Sequence, residues 1–369
     1  MLTSTHLVAL SIFASYFLLI FFLFYTIISS IRRHAIPAAE AQRALLFCGL
    51  TLASFAHTWY WMFRFLFSSF HSFEALHVPT GTHDEPLLRV ANWLAASGLF
   101  EEAWSAVCTG PLNWWWSEQL CLFTAGAFTV FLFMQRERVP HAWAYMLLGQ
   151  VVAISVAWSL LNLALVIIPP KAGARAGRAV TGLPLSLTAP VLLSLLTVSL
   201  SPYTSATTFL PNLLAMHALL MVPLLPFPPL TLPALSPRPT SFYTLVALLS
   251  TLLRTRTTLA VLSSLHITSS PFFSLQHPMD VVVALWNAPG VVYGAAWETL
   301  HGHAAQASIG WDVVWTSVVW LAWGLCGEGR WTVREGVVKV FPTAVASVGV
   351  IAPMEFGRVL RGGLESKRE

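Results

Sequence analysis

Glu118 follows Trp114 and Trp115 by four and three residues, so on a helix one carboxyl and two indoles share a face. A carboxylic acid held among apolar rings keeps its proton and can act as a general acid. The same WWW at a helix start also reads as an interfacial tryptophan belt beside a solvated glutamate. Asp312 precedes Trp315 and Thr316 by three and four residues, with Trp311 adjacent, and repeats the pairing of one acid with aromatic faces. It lies deeper in its apolar run, and two readings stand: a site acid, or one half of a helix–helix hydrogen bond. A third set, Ser54, His57, Trp61 and Arg64, forms a polar stripe at helical spacing that faces the bundle, unless Arg64 snorkels to the interface. Proton donors beside electron-rich rings in a dry pocket are what acid-initiated carbocation chemistry needs. Glu118 and Asp312 would then be the acids, and Trp114, Trp115, Trp315, His57, Trp61 and Arg64 would line the substrate.

Other chemistries find little to work with. Asp84, Asp280 and Asp312 are the only aspartates, so no DDxxD-like cluster can hold Mg²⁺ against a diphosphate. HExxH, GxSxG, Walker A and GxGxxG sequences do not occur. His301-Gly-His303 has no acidic or cysteine companion nearby, and Cys48, Cys108, Cys121 and Cys326 are scattered, with apolar filling their simplest role. No metal and no cofactor is therefore expected. The net charge of +4 contains no basic run longer than Arg32-Arg33, which sets nucleic acid aside as a partner.

The elements that must position these residues are helices in lipid. Of 369 residues, 56% are hydrophobic and 10% charged, and the mean hydropathy is +0.69; one soluble core cannot hide that much apolar surface. The expected fold is all-α, a single integral membrane domain over 1–369 built as a polytopic bundle of eight to nine spans. The apolar runs are 8–28, 44–67, 114–134, 144–168, 183–200, 212–229, 243–265, 307–326 and 336–356. Arg32, Arg33, Arg43, Arg136 and Arg138 outnumber Arg89 across the early loops and place their side in the cytoplasm. Lys171, Arg175 and Arg178 break that pattern, so orientation is not assigned beyond residue 168. Segment 68–112 reads as a lumenal loop with interfacial helices over 87–96 and 98–107. Segment 201–242 is a proline-rich middle and 357–369 a cytoplasmic tail. Thirteen prolines between Pro169 and Pro239 predict broken fifth and sixth spans, and Arg254 with Arg256 predict two shorter pieces in the seventh. In the fourth run, Ser155, Ser159 and Asn162 share a face suited to interhelical hydrogen bonds. In a nine-span arrangement Glu118 and Asp312 fall near opposite faces, and they share a pocket only if a segment such as 280–297 also spans or another run does not.

WWWSEQLCLFTAGAF (114–128), AYMLLGQVVAISVA (144–157) and QASIGWDVVWTS (306–317) resemble a family of fungal multi-span membrane proteins. That family is similar to the membrane-bound terpene cyclase of ascofuranone biosynthesis. The resemblance runs over most of the chain and is weakest in the proline-rich middle. It implies metal-free protonation of an epoxidised prenyl tail on a meroterpenoid, a lipophilic substrate entering from the bilayer, with Glu118 and Asp312 the positions most like the family's acids. Two other classes remain open: a transporter or ion-coupled carrier using His57, Arg64, Arg254 and Asp312 as its path, or a non-catalytic scaffold. The lipid bilayer is the expected partner, and without retention or lipidation signals the endoplasmic reticulum is the default location.

Overall fold

Helix α1 (Ser4–Ile31) starts at a capping box, in which Thr3 and His6 satisfy each other's backbone N–H groups. It buries Ile20, Leu23 and Ile27 but leaves Phe21 70% and Tyr25 74% exposed. The same inversion holds elsewhere: large apolar side chains face outward while Glu118, Arg254, Gln306 and Asp312 are buried inside. That arrangement suits lipid outside and polar contacts within. The computed structural model describes residues 2–77, 85–170, 182–226, 228, 230, 232, 236–265, 278–329 and 331–365, and the side chains of all of these except 278–288 and 362–365. Asp84, Lys171, Arg175, Arg178, Lys367 and Arg368, and the side chain of Asp280, lie outside that set.

The described residues are helical with no strand. Helix α2 (Ala41–His77) is followed by α3 (Pro86–Ala96) and α4 (Leu99–Cys108), close to the two short helices the sequence suggests. The end of α2 is tied to them: Arg89 pairs with Glu74, and Ser69 joins Trp93 Nε1 at 3.2 Å to Glu102 at 3.1 Å. A central rod follows, made of α5 (Pro111–Leu122), one π-helical segment (Phe123–Phe128) and α6 (Thr129–Gln135). In the widened turn the carbonyl of Thr124 accepts both the backbone N–H of Thr129 and its hydroxyl, the latter at 2.6 Å.

Next come α7 (Ala142–Val151), α8 (Ile154–Ile167), α9 (Leu185–Leu200) and α10 (Phe209–Met221). The chain ends with α11 (Pro239–Ser264), α12 (Pro278–Gly302), α13 (Ala304–Cys326), α14 (Val333–Ala346) and α15 (Val348–Glu365). Five helical stretches are long and apolar enough to cross a bilayer: α1, the rod Pro111–Gln135, α9 with its following turn, α11 and α13. This fits an integral membrane protein. Eight to nine such stretches are expected from the sequence, and the structure supplies five among the described residues.

Two of the missing spans are hairpins. Run 144–168 is broken at Val152 and Ala153, and the chain turns back on itself. A Cβ on Gly149 would sit 3.3 Å from that of Ala157, where a straight helix separates residues eight apart by about 12 Å. Arg138, just before α7, donates to the carbonyls of Leu165 and Ile168 at the far end of α8, so both arms meet on one face. Tyr16, midway along α1, donates to Val151 O at 2.6 Å and marks the depth of the tip.

Run 336–356 behaves alike. Glu335 pairs with Arg358 at 3.3 Å and Lys339 pairs with Glu355, zipping α14 to α15 around Ser347 at φ +100°. Its tip abuts the middle of the central rod, where a Cβ on Gly349 would lie 2.7 Å from Leu122 Cβ and 2.8 Å from Phe123 N. Glu328, between α13 and α14, bonds Arg138 at 2.6 Å, so both hairpins are rooted on this arginine face.

Two further expectations need correction. Helix α11 is unbroken through Arg254 and Arg256, because both guanidinium groups find carbonyl partners inside the bundle. Helix α9 accommodates Pro190 without ending. Gly349→Ala is expected to overpack the hairpin tip and lower stability by about 1–3 kcal/mol. Gly294→Ala, with open space around it, should leave the melting temperature unchanged or raised; equal effects of the two changes would deny the close approach.

Candidate functional site

Helices α5 and α11 bring a carboxylate and a guanidinium together inside the bundle. Glu118 is fully buried and Arg254 is 3% exposed. Glu118 Oε1 accepts from the Thr257 hydroxyl at 2.7 Å, and Oε2 faces Arg254 Nη1 at 3.7 Å. Thr257 stands one turn after Arg254, so α11 presents a hydroxyl and a cation to the two oxygens of one carboxylate.

Arg254 is held more closely by backbone than by charge. Its Nη1 donates to Trp115 O at 2.6 Å, and its guanidinium lies 4.1 Å from the centre of the Trp115 ring. Gln119 Nε2 donates to that same carbonyl at 3.2 Å. Arg254 Nε and Nη2 are enclosed and have no hydrogen-bond partner among the described residues. Those two atoms form the edge of the guanidinium that meets a carboxylate side-on through parallel bonds. Tyr293 of α12 packs edge-on against Trp115, with ring centres 6.1 Å apart.

Asp312 is used differently. Its Oδ2 accepts from Ile154 N at 2.8 Å and its Oδ1 from Ser155 N at 2.8 Å. These are the first N–H groups of α8, whose own cap residue, Ala153, offers no side-chain acceptor. A carboxylate on a neighbouring helix therefore caps a helix start buried in the bundle and meets its positive dipole end. The Ser155 and Thr316 hydroxyls stand beside the same carboxylate.

The remaining candidates form a ring cluster. Trp315 Nε1 donates to His57 Nδ1 at 3.2 Å, which makes His57 the neutral Nε2–H tautomer. His57 also packs on Trp311 with centres 4.4 Å apart, and Arg64 lies over Trp61 at 5.0 Å. His301 reaches Trp61, Trp297 and Trp311 at 5.9, 4.5 and 6.2 Å. His303 does not join it, for its Nδ1 accepts from Ala305 N at 3.3 Å and caps α13.

The sequence-predicted residues thus fall into three places. Trp115 and Glu118 meet at Arg254; His57, Trp61, Arg64 and Trp315 meet at the ring cluster; Asp312 sits on α8. Trp114 is buried in the main core. Gly310 lies against Trp116, since a Cβ there would be 3.6 Å from the indole, so the Asp312 and Glu118 stretches pack side by side. Their carboxyls nonetheless address different helices. Thr257 and Tyr293 are the site residues that the sequence reading passes over; the signal for Thr257 was its place one turn from a buried arginine.

Among the described residues no three His, Cys, Asp or Glu side chains group as a metal site. No family model, curated protein or solved structure matches the chain.

Proposed function

We propose that the protein is a proton-coupled carrier of a lipophilic organic anion, with Arg254 as the anion site and Glu118 as the proton site. The observation that carries this reading is the unpartnered Nε and Nη2 edge of a buried Arg254. A buried ion pair normally satisfies the donors of its cation, and intramembrane ionisable groups that do not are the usual marks of a substrate path.

A carboxylate docking on that edge would make two parallel charge-assisted bonds. Arg254 would then hold two anions for one positive charge. Glu118, released from that competition, takes a proton from the side that delivered the substrate, so anion and proton cross together and the buried charge stays balanced. Trp115, packed beneath the guanidinium, makes the surroundings of that edge apolar. Helix hairpins ending inside the bundle are the kind of discontinuous element that carriers use around a central site.

Purified protein would be heated with medium-chain and aromatic carboxylates, each beside its methyl ester, and then reconstituted into vesicles with a trapped pH dye. The expected result is stabilisation by acids but not esters, and uptake with internal acidification faster than in protein-free vesicles, where the neutral acid crosses the lipid unaided. Glu118→Gln should keep the stabilisation and lose that faster acidification. Esters acting as well as acids, or no stabilisation by either, would overturn the carrier.

A second reading keeps the metal-free cyclase-like enzyme, a membrane isomerase acting on a lipophilic prenyl epoxide or meroterpenoid. What favours it is Glu118 Oε2, buried and, among the described residues, without a hydrogen-bond partner one turn from the Trp115 ring. Conversion of an epoxy-prenyl substrate by the same vesicles, lost in Glu118→Gln, would decide for the enzyme. Placement in the endoplasmic reticulum belongs with either reading.

A further inference from the structure

The arginine face carries a second site, away from the Glu118–Arg254 pair. There the segment after α1, the end of α8 and the end of α13 line a half-open cleft of about 760 Å³, inside the range of about 300–1,000 Å³ usual for ligand sites. Leu165 and Val166 contribute apolar wall. Charged side chains also line it, Arg33, Arg43 and Arg138 against Glu40 and Glu328, together with the imidazole of His34.

These charges are not equivalent. Arg138 donates through Nε to Ile168 O at 2.9 Å, through Nη2 to Leu165 O and through Nη1 to Glu328 at 2.6 Å. It therefore neutralises Glu328 and the carbonyl end of α8, which would otherwise repel an anion. Arg43 and Glu40 form an ion pair at 3.1 Å, with the Arg43 side chain 52% exposed. A pair of that kind is worth at most about 1 kcal/mol and yields readily to a better acceptor. Arg33 is exposed and has no ion-pair partner among the described residues. His34 engages Ser30 O through Nδ1 at 3.3 Å. Positive charge is thus left over beside apolar wall, at the end of the bundle where early loops carry their arginines.

We propose that this cavity binds a phosphate group, with Arg33 and Arg43 on its oxygens and the Leu165–Val166 wall against the attached carbon. Two sources share that chemistry: the headgroup of an anionic phospholipid held at the membrane surface, and a soluble organophosphate. The site does not rest on the carrier reading.

The test uses the full chain in nanodiscs of phosphatidylcholine, with and without phosphatidic acid. Native mass spectrometry counts the lipids retained, and glycerol 3-phosphate added to phosphatidylcholine-only discs supplies the soluble arm through a thermal shift. The variant is R33Q/R43Q, both positions lying on the surface; an unchanged melting temperature in phosphatidylcholine shows that it folds, and Arg33→Gln alone replaces it otherwise. The wild type is expected to retain phosphatidic acid over phosphatidylcholine about tenfold better than the variant, equivalent to about 1.4 kcal/mol. Enrichment of lipid without a shift by the solute identifies a headgroup site; a shift without enrichment identifies a solute site; both support a phosphate pocket. Wild type and variant behaving alike in both arms would overturn it.

Discussion

Arg254→Leu, with Glu118 left in place, is expected to destabilise the protein by about 3–5 kcal/mol, because it strands a buried carboxylate. Glu118 would keep only the Thr257 hydroxyl at 2.7 Å, with its side chain fully enclosed. Loss of the Arg254 bond does not orphan the Trp115 carbonyl, since Gln119 Nε2 still reaches it at 3.2 Å. The cost therefore belongs to the carboxylate. Removing both charges in Glu118→Leu with Arg254→Leu should recover most of it, as apolar pairs of similar volume commonly equal or exceed a buried ion pair. Thermal unfolding of the three variants in one detergent gives the double-mutant cycle. A double variant as unstable as Arg254→Leu would mean that Arg254 acts through the Trp115 backbone and ring, with no coupling to Glu118. The double variant also separates folding from function: it should be stable and neither bind nor move an anion.

The sequence exposed the membrane class, the long apolar helices and the acids worth watching, because all three follow from residue type and helical period. It concealed the hairpins. AYMLLGQVVAISVA holds no proline at Val152–Ala153, and its one glycine, Gly149, is the packing contact for the returning arm and not the turn. What ends α7 and starts α8 there is a carboxylate from α13, 157 residues away from the N–H that it receives at Ser155. No local pattern reports such a cap. Run 336–356 was similarly smooth by composition, although Lys339 and Glu355 inside it, and Glu335 and Arg358 just beyond its ends, pair symmetrically about Ser347. The opposite error occurred in α11, where Arg254 and Arg256 argued for a break. Arg256 instead reaches Ser199 O at 2.7 Å and Arg254 reaches Trp115 O, partners that only the folded bundle supplies.

Asp312→Asn is expected to loosen the α7–α8 hairpin. One oxygen remains to accept from the first turn of α8, while the amide that replaces the other oxygen turns N–H toward N–H. A hydrogen bond to a charged acceptor is worth about 1.5–3 kcal/mol, and the lost charge at the helix start adds about 0.3–2 kcal/mol. The loss should be local first. Amide exchange across Ile154–Ala157 should rise well before exchange in α1 or α13, and the melting temperature should fall. Asp312→Ala should be worse, since both N–H groups then lie bare in a dry interior. These outcomes separate the two roles that the sequence left open for Asp312. A proton donor to a substrate would tolerate asparagine structurally, because the amide matches the carboxyl in shape, and the variant would fold at full stability with activity alone abolished. A helix cap fails in the reverse order: α8 frays and the hairpin tip loosens, and any loss at Glu118 and Arg254 follows from that. If exchange across α8 were unchanged in Asp312→Asn, the carboxylate would not be holding the hairpin, and its burial opposite two N–H groups would have to be explained by chemistry performed there.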